Sequence, residues 1–109
     1  MTVNERPAIR IVEPTASAMA AGNRVMIKFS EVTPRTADLF ADKVATYFDP
    51  KELTVVTGGP DVGAAFSSLP FDHLFFTGSP GVGALVATAA AKNLVPVTLE
   101  LGGKNPAVV

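Results

Sequence analysis

The chain has 109 residues, 48% hydrophobic and 17% charged, with a net charge of −1 and a mean hydropathy of +0.34. With no basic excess it presents no electrostatic footprint for nucleic acid, and no apolar run approaches the ~20 residues that span a bilayer. The absence of cysteine excludes disulfides and thiolate metal sites, and one histidine, His73, cannot form a metal cluster alone. Residues 1–13 lack the long apolar stretch of a secretory signal, so a cytoplasmic protein is the default. The composition is apolar for a small domain, as if part of its surface were meant for a neighbour.

Residues 1–13 show no clear period and no strong cap, and read as a poorly ordered N-terminal segment. Residues 14–21 are Ala-rich and helical in pattern, stopped by Gly22-Asn23. Residues 24–29, Arg-Val-Met-Ile-Lys-Phe, are short and follow a turn, which predicts a buried strand. Thr33 as N-cap and Pro34 at the first helical position open the next helix. Its apolar face is Ala37, Phe40, Val44, Tyr47 and Phe48, and Asp49-Pro50 ends it. A second strand covers residues 53–57. After Gly58-Gly59-Pro60 comes a short helix with Val62, Ala65, Phe66 and Leu69 inward. Residues 73–77 make a third strand. Ser79 then caps a helix beginning at Pro80, with Val82, Leu85, Val86, Ala89 and Ala90 as its buried stripe. Residues 95–101 form a fourth strand, and residues 106–109 look like the start of a further element.

Strands alternating with helices through short connections predict an α/β fold: a parallel sheet with helices on its faces and right-handed crossovers. Ligands of such sheets sit beyond the carboxyl ends of the strands. Residues 28–31, 58–63 and 78–83 all fall there and can converge.

The turn Gly78-Ser79-Pro80-Gly81-Val82-Gly83 is the strongest chemical signal. Small residues admit a ligand to the backbone, and bare N–H groups at a helix start favour an anion such as a pyrophosphate. The spacing is not Gly-x-Gly-x-x-Gly, and only Glu100 stands where that fingerprint wants its acidic residue, so the fingerprint fails. Glycines placed for tight packing are the other reading. Lys28 and Glu31 suit ribose hydroxyls or phosphate oxygens, or are ordinary solvated charges. Glu100 ends an apolar strand before two glycines. A carboxylate in apolar surroundings suits a general base near neutral pH, while the alternative is an exposed Glu sharing the polar side of the strand with Thr98. Lys104 reads as a loop cation and His73, beside Asp72, as part of a solvated turn. Ser67, Ser68 and Ser79 have no histidine at a motif spacing, so serine-hydrolase chemistry is unsupported.

From residue 21 onward the chain resembles the aldehyde dehydrogenase superfamily. The resemblance rests on Ala20-Ala21-Gly22-Asn23-Arg24-Val25, Lys28-Phe29-Ser30-Glu31, Phe76-Thr77-Gly78-Ser79 and Thr98-Leu99-Glu100-Leu101-Gly102-Gly103-Lys104, the last being similar to the family's glutamate signature. Tyr47-Phe48-Asp49-Pro50 and Ser67-Ser68-Leu69-Pro70-Phe71-Asp72-His73 are similar to the branch that includes coniferyl-aldehyde dehydrogenases. The resemblance implies a three-layer Rossmann-like parallel sheet, with residues 14–109 a partial dinucleotide-binding domain ending where the catalytic domain starts. It implies oxidation of an aldehyde to a carboxylic acid with NAD or NADP, through attack by a cysteine thiolate and hydrolysis of a thioester. Carried over residue by residue, Glu100 is the general base. Lys28 and Glu31 hold the adenosine ribose, Gly78 and Ser79 face the pyrophosphate, Gly83 allows close helix approach, and Leu101 and Gly102 lie near the nicotinamide. Glu31 would repel a ribose 2′-phosphate and tilts the expectation to NAD, while Lys28 leaves NADP open. The implied partners are a small aldehyde and, at full length, further copies of the chain, with neither nucleic acid nor membrane.

Four departures accompany the resemblance, one of them Pro80-Gly81 where Thr-Glu is common in the family. The family nucleophile falls beyond Val109. No Pro-Trp-Asn-aromatic-Pro motif for the oxyanion precedes the first strand, so that role is not carried to Asn4. Phe29 stands where the family's Lys-Pro-Ser-Glu turn has proline. A fragment supplying coenzyme site and base without nucleophile is the reading that follows; a stand-alone nucleotide-binding module without chemistry is the alternative.

Overall fold

The computed structural model describes residues 7–102, with side chains from residue 11. The elements alternate as expected: α1 (Pro7–Ala20), β1 (Val25–Lys28), α2 (Pro34–Tyr47), β2 (Leu53–Val56), α3 (Pro60–Ser67), β3 (Leu74–Gly78), α4 (Pro80–Ala91) and β4 (Val97–Leu101). The fold is α/β with parallel pairing throughout. β1 pairs with β2 from Val25↔Leu53 to Lys28↔Val56, and β3 with β4 from Leu74↔Val97 to Gly78↔Leu101. Each pair is joined by a crossover helix, as parallel neighbours require. The chain divides into two compact units, one running to Gly63 and the other starting at Ala64.

In the first unit, Ile27, Phe29, Ala37, Val44 and Leu53 are buried together, with Ile11, Met19, Val25, Phe40 and Val55 packed on them. Alternate residues of β1 and β2 face α1 and α2, which is the two-residue period of a strand. Phe29 is the largest fully buried side chain, and its ring lies 5.2 Å from that of Phe40, tilted by 52°. α1 corrects one expectation. The segment from Pro7 to Glu13 is helical rather than poorly ordered, and Pro14 lies inside the helix instead of starting it. Residues 11, 14, 15, 18 and 19 are half-buried, the three-and-four spacing of one helix face, so docking of that face on β1 explains the early start. At its end Gly22 takes φ +87°, and the Ala21, Gly22 and Asn23 amides donate back to Ser17, Met19 and Ala18 carbonyls.

α2 differs in two details. Thr33 precedes Pro34 as expected, yet makes no capping hydrogen bond; its Oγ1 is buried without a partner among the described residues. Tyr47 and Phe48, assigned to the buried face, are exposed, because the helix ends there and Phe48 is already extended. Asp49 then builds the turn into β2: its Oδ1 accepts from the Lys51 amide at 2.8 Å and its carbonyl from the Glu52 amide at 2.8 Å.

In the second unit, Leu74, Val86, Ala90 and Val95 are buried, with Phe66, Phe71, Phe76 and Val97 against them. The buried stripe of α4 is Gly83, Val86 and Ala90, whereas Val82 and Leu85 are exposed, contrary to expectation. The helix is apolar nearly all round, so residue type alone does not reveal which face is buried. Residues 103–109, including Gly103, Lys104 and the element expected after residue 106, lie outside the described residues. Among the described residues no helix is long and apolar enough to cross a membrane.

Candidate functional site

The sequence-predicted residues fall into two groups, one in each unit. In the first, Lys28 ends β1 and Glu31 follows three residues later. Their charges meet, with Lys28 Nζ 3.6 Å from Glu31 Oε2. The two are unequal: the Lys28 side chain is 10% exposed and that of Glu31 51%. Lys28 lies beside the start of α3, where a Cβ built on Gly63 would sit 3.9 Å from both Lys28 Cε and Nζ. Residues 28–31 and the Gly58–Gly63 turn thus come together at the carboxyl ends of two paired strands, as expected. A cation held along its stem, next to an exposed carboxylate, makes a donor–acceptor pair suited to vicinal hydroxyls.

In the second unit, β3 ends at Gly78 and α4 begins at Pro80, with Ser79 as cap. Its Oγ accepts from the Val82 amide at 3.3 Å, and the Gly83 amide donates to the Ser79 carbonyl at 2.9 Å. Pro80 has no N–H. The Gly81 amide is therefore the first-turn donor without an intrahelical acceptor, and a Cβ on Gly81 would meet nothing among the described residues within 4 Å. That amide, the positive helix end and the Ser79 hydroxyl hydrogen form a small anion-facing surface.

The glycines divide between the two readings left open by the sequence. Gly81 is open. Gly78 and Gly83 are tied to packing: a Cβ on Gly78 would lie 2.6 Å from Phe76 Cζ, and one on Gly83 would lie 2.7 Å from Leu101 Cδ2. Sequence reasoning overlooked Gly81 as the accessible member. The signal was present, since Gly81 sits at the second helical position, where backbone N–H groups lack partners.

Leu101 pairs with Gly78 across the ladder and turns its side chain to α4, while Glu100 pairs with Thr77. Glu100 is exposed. Of the two readings the sequence left open, this is the exposed carboxylate on the polar side of the strand. Strand alternation is the reason, because the flanking Leu99 and Leu101 point to the opposite face. Gly102 follows, with nothing among the described residues within 4 Å of a Cβ built on it. His73, read as part of a solvated turn, is exposed, but its Nε2 lies 2.9 Å from Thr98 Oγ1 and ties the start of β3 to β4. Among the described residues no group of three or more His, Cys, Asp or Glu side chains is placed to hold a metal ion.

The aldehyde dehydrogenase family model matches residues 5–109. Coniferyl aldehyde dehydrogenase of Pseudomonas sp. strain HR199 is 56% identical over 103 residues, covering 94% of this chain and 21% of that protein. The substrate-bound structure of Staphylococcus aureus AldH superposes with a TM-score of 0.88 at 46% identity, covering 92% of this chain and 22% of that one. An aldehyde dehydrogenase of Mycobacterium tuberculosis in complex with NAD+ gives 0.70 at 44% identity, over 82% and 19%. The chain spans about a fifth of the length of the relatives it matches.

Proposed function

The chain belongs to the aldehyde dehydrogenase family, and on that premise we propose that it supplies the coenzyme-binding part of an NAD-dependent oxidation of an aldehyde to a carboxylic acid. The observation that carries this reading is the start of α4, where an open Gly81 amide and the Ser79 hydroxyl stand one ladder position from the Glu100-Leu101-Gly102 segment. A dinucleotide fits these residues: its pyrophosphate needs bare donors and room for close backbone approach, and both Gly81 and Gly102 offer that room. Exposed Val82 and Leu85, on the outer side of α4, provide an apolar shelf next to the anion-facing turn.

In this reading Ser79 and Gly81 hold the pyrophosphate, with Gly78 and Gly83 shaping the turn that presents them. Lys28 and Glu31 hold the adenosine ribose, the lysine donating to and the carboxylate accepting from the hydroxyls. Leu101 and Gly102 lie along the nicotinamide. NAD, when bound, accepts the two electrons removed from the aldehyde. Glu100 acts as the general base, its exposed carboxylate free to take a proton from the nucleophile or from water. The 109 residues contain no cysteine, so the covalent step depends on a thiolate outside them, and the chain by itself turns over no aldehyde. The resemblance to coniferyl aldehyde dehydrogenase favours an aromatic aldehyde as substrate of the whole enzyme, in a cytoplasmic homo-oligomer. The chain then supplies part of a dinucleotide-binding domain.

Glu31 gives this reading its coenzyme preference. Its carboxylate accepts hydrogen bonds from a free ribose 2′-hydroxyl and repels a 2′-phosphate. Calorimetric titration of NAD and NADP into the chain and its Glu31→Gln variant tests this. NAD binds the unaltered chain more tightly, and the variant narrows the preference by about tenfold, the effect of roughly 1.4 kcal/mol. Equal affinity for both coenzymes in the unaltered chain contradicts the ribose role of Glu31.

A further inference from the structure

The connection between β1 and α2 holds one polar group with nothing to bind. Thr33 Oγ1 is buried without a partner among the described residues. It stands at the N-cap position of α2, where a threonine hydroxyl ordinarily accepts from the second or third helical amide. Those amides belong to Arg35 and Thr36. Pro34 has no N–H, and the Ala37 amide is already taken by the Thr33 carbonyl at 3.0 Å. Thr33 has φ −126° and ψ 59°. Its φ lies in the extended region typical of capping residues, and only ψ falls short of that region's edge near about +100°. One torsion separates the unmade cap from a made one.

Weak contacts hold the turn as it is. The Lys28–Glu31 pair spans it at 3.6 Å with Glu31 51% exposed, and a pair so open to water stabilises little. The Val32 amide donates to Ser30 Oγ and the Thr33 amide to the Ser30 carbonyl, each at a long 3.3 Å. Lys28 is fixed in β1, whereas Glu31 travels with the turn. Bringing ψ of Thr33 to a capping value re-aims residues 30–32, and with them the Glu31 carboxylate.

We propose that this turn is a two-state element in which the Thr33 cap and the Lys28–Glu31 pair exclude each other, and that a vicinal diol bound between Lys28 and Glu31 selects the capped state. A hydroxyl set between the two accepts from the lysine and donates to the carboxylate, replacing one 3.6 Å contact by two hydrogen bonds in series. The pair must open to admit it, and the cap is what the turn gains in exchange. That a ribose supplies the diol rests on the function proposed above; the exclusion between pair and cap does not. Thr33 touches no ligand and is a positioning residue, acting through the turn that carries Glu31.

The test follows the exchange of the Thr36 amide with water by NMR, in the 109-residue chain with and without NAD. The variants are Thr33→Val, Thr33→Ser, Glu31→Ala, and Glu31→Ala combined with Thr33→Val. In the unaltered chain NAD is expected to slow Thr36 exchange as it saturates. Thr33→Val folds as the unaltered chain does, loses that response and binds NAD about fivefold more weakly, the affinity equivalent of one cap. Thr33→Ser keeps both the response and the affinity. Without any ligand, Glu31→Ala opens the pair and slows Thr36 exchange, and adding Thr33→Val reverses this. A merely structural threonine would instead lower the stability of the free chain and leave NAD affinity alone. The proposal is overturned if Thr33→Val binds NAD as tightly as the unaltered chain, if it fails to fold, or if Glu31→Ala leaves Thr36 exchange unchanged. An unaltered chain that binds no NAD defeats the coenzyme reading instead, and the ligand-free Glu31→Ala comparison still decides the exclusion.

Discussion

Phe29 shows how a departure from a family's usual turn is absorbed by packing. The aldehyde dehydrogenase resemblance leads one to expect proline there, but the aromatic ring is the largest fully buried side chain and leans on Phe40. Its amide also donates to the Val56 carbonyl at 3.4 Å, a bond proline cannot make. Phe29→Ala should lose about 3 kcal/mol or more in urea unfolding, because it empties the centre of the first unit. Leu94 is the opposite case. It is 90% exposed and has φ +56°, a left-handed conformation that disfavours a Cβ. Leu94→Gly removes the strain without giving up buried area and should raise stability by about 0.5–1 kcal/mol, readable in the same unfolding curve. The strand pattern already placed residue 29 in a buried segment; its packing on Phe40 and the left-handed backbone of residue 94 were not legible, since both depend on tertiary placement.

The two crossover helices start in similar ways and are capped differently. Thr33-Pro34 and Ser79-Pro80 share a spacing, so the sequence predicts the same cap for both. Only Ser79 makes it, accepting from Val82, whereas Thr33 Oγ1 is buried and unpartnered. Ser79→Ala should therefore cost about 1 kcal/mol. Thr33→Val should be neutral or stabilising, since it replaces an unsatisfied hydroxyl with a methyl. Thermal melts of the two variants separate these outcomes. Element order and type were legible because strand-length apolar runs alternate with longer helix-period segments. What was not legible was rotation and extent. α4 is so uniformly apolar that Val82 and Leu85 looked as buried as Val86. The face of α1 mixes Ile11 and Met19 with Pro14, Thr15 and Ala18, which hid its period and placed its start one proline too late.

At the scale of the molecule, each parallel pair of strands carries its predicted residues at its carboxyl end: Lys28 and Glu31 in the first unit, the Gly78–Gly83 turn in the second. The positions were legible from strand endings alone. Which glycine is open to a ligand was not, because that depends on where the Phe76 ring and the Leu101 methyls lie. The central claim is that the start of α4 receives the coenzyme's pyrophosphate, and Gly81 tests it with least disturbance. A side chain there meets nothing, and an acidic residue in the first turn suits the helix dipole, so Gly81→Asp should fold at least as stably as the unaltered chain. The most direct measurement is NAD titration of the 15N-labelled chain beside its Gly81→Asp and Gly81→Asn variants, following the amides of residues 79–83 and Gly102. The account predicts saturable shifts at those amides in the unaltered chain, retained with Asn and abolished by the carboxylate of Asp. Amides that stay fixed in a folded chain as NAD is added, or binding that survives Gly81→Asp undiminished, would contradict it.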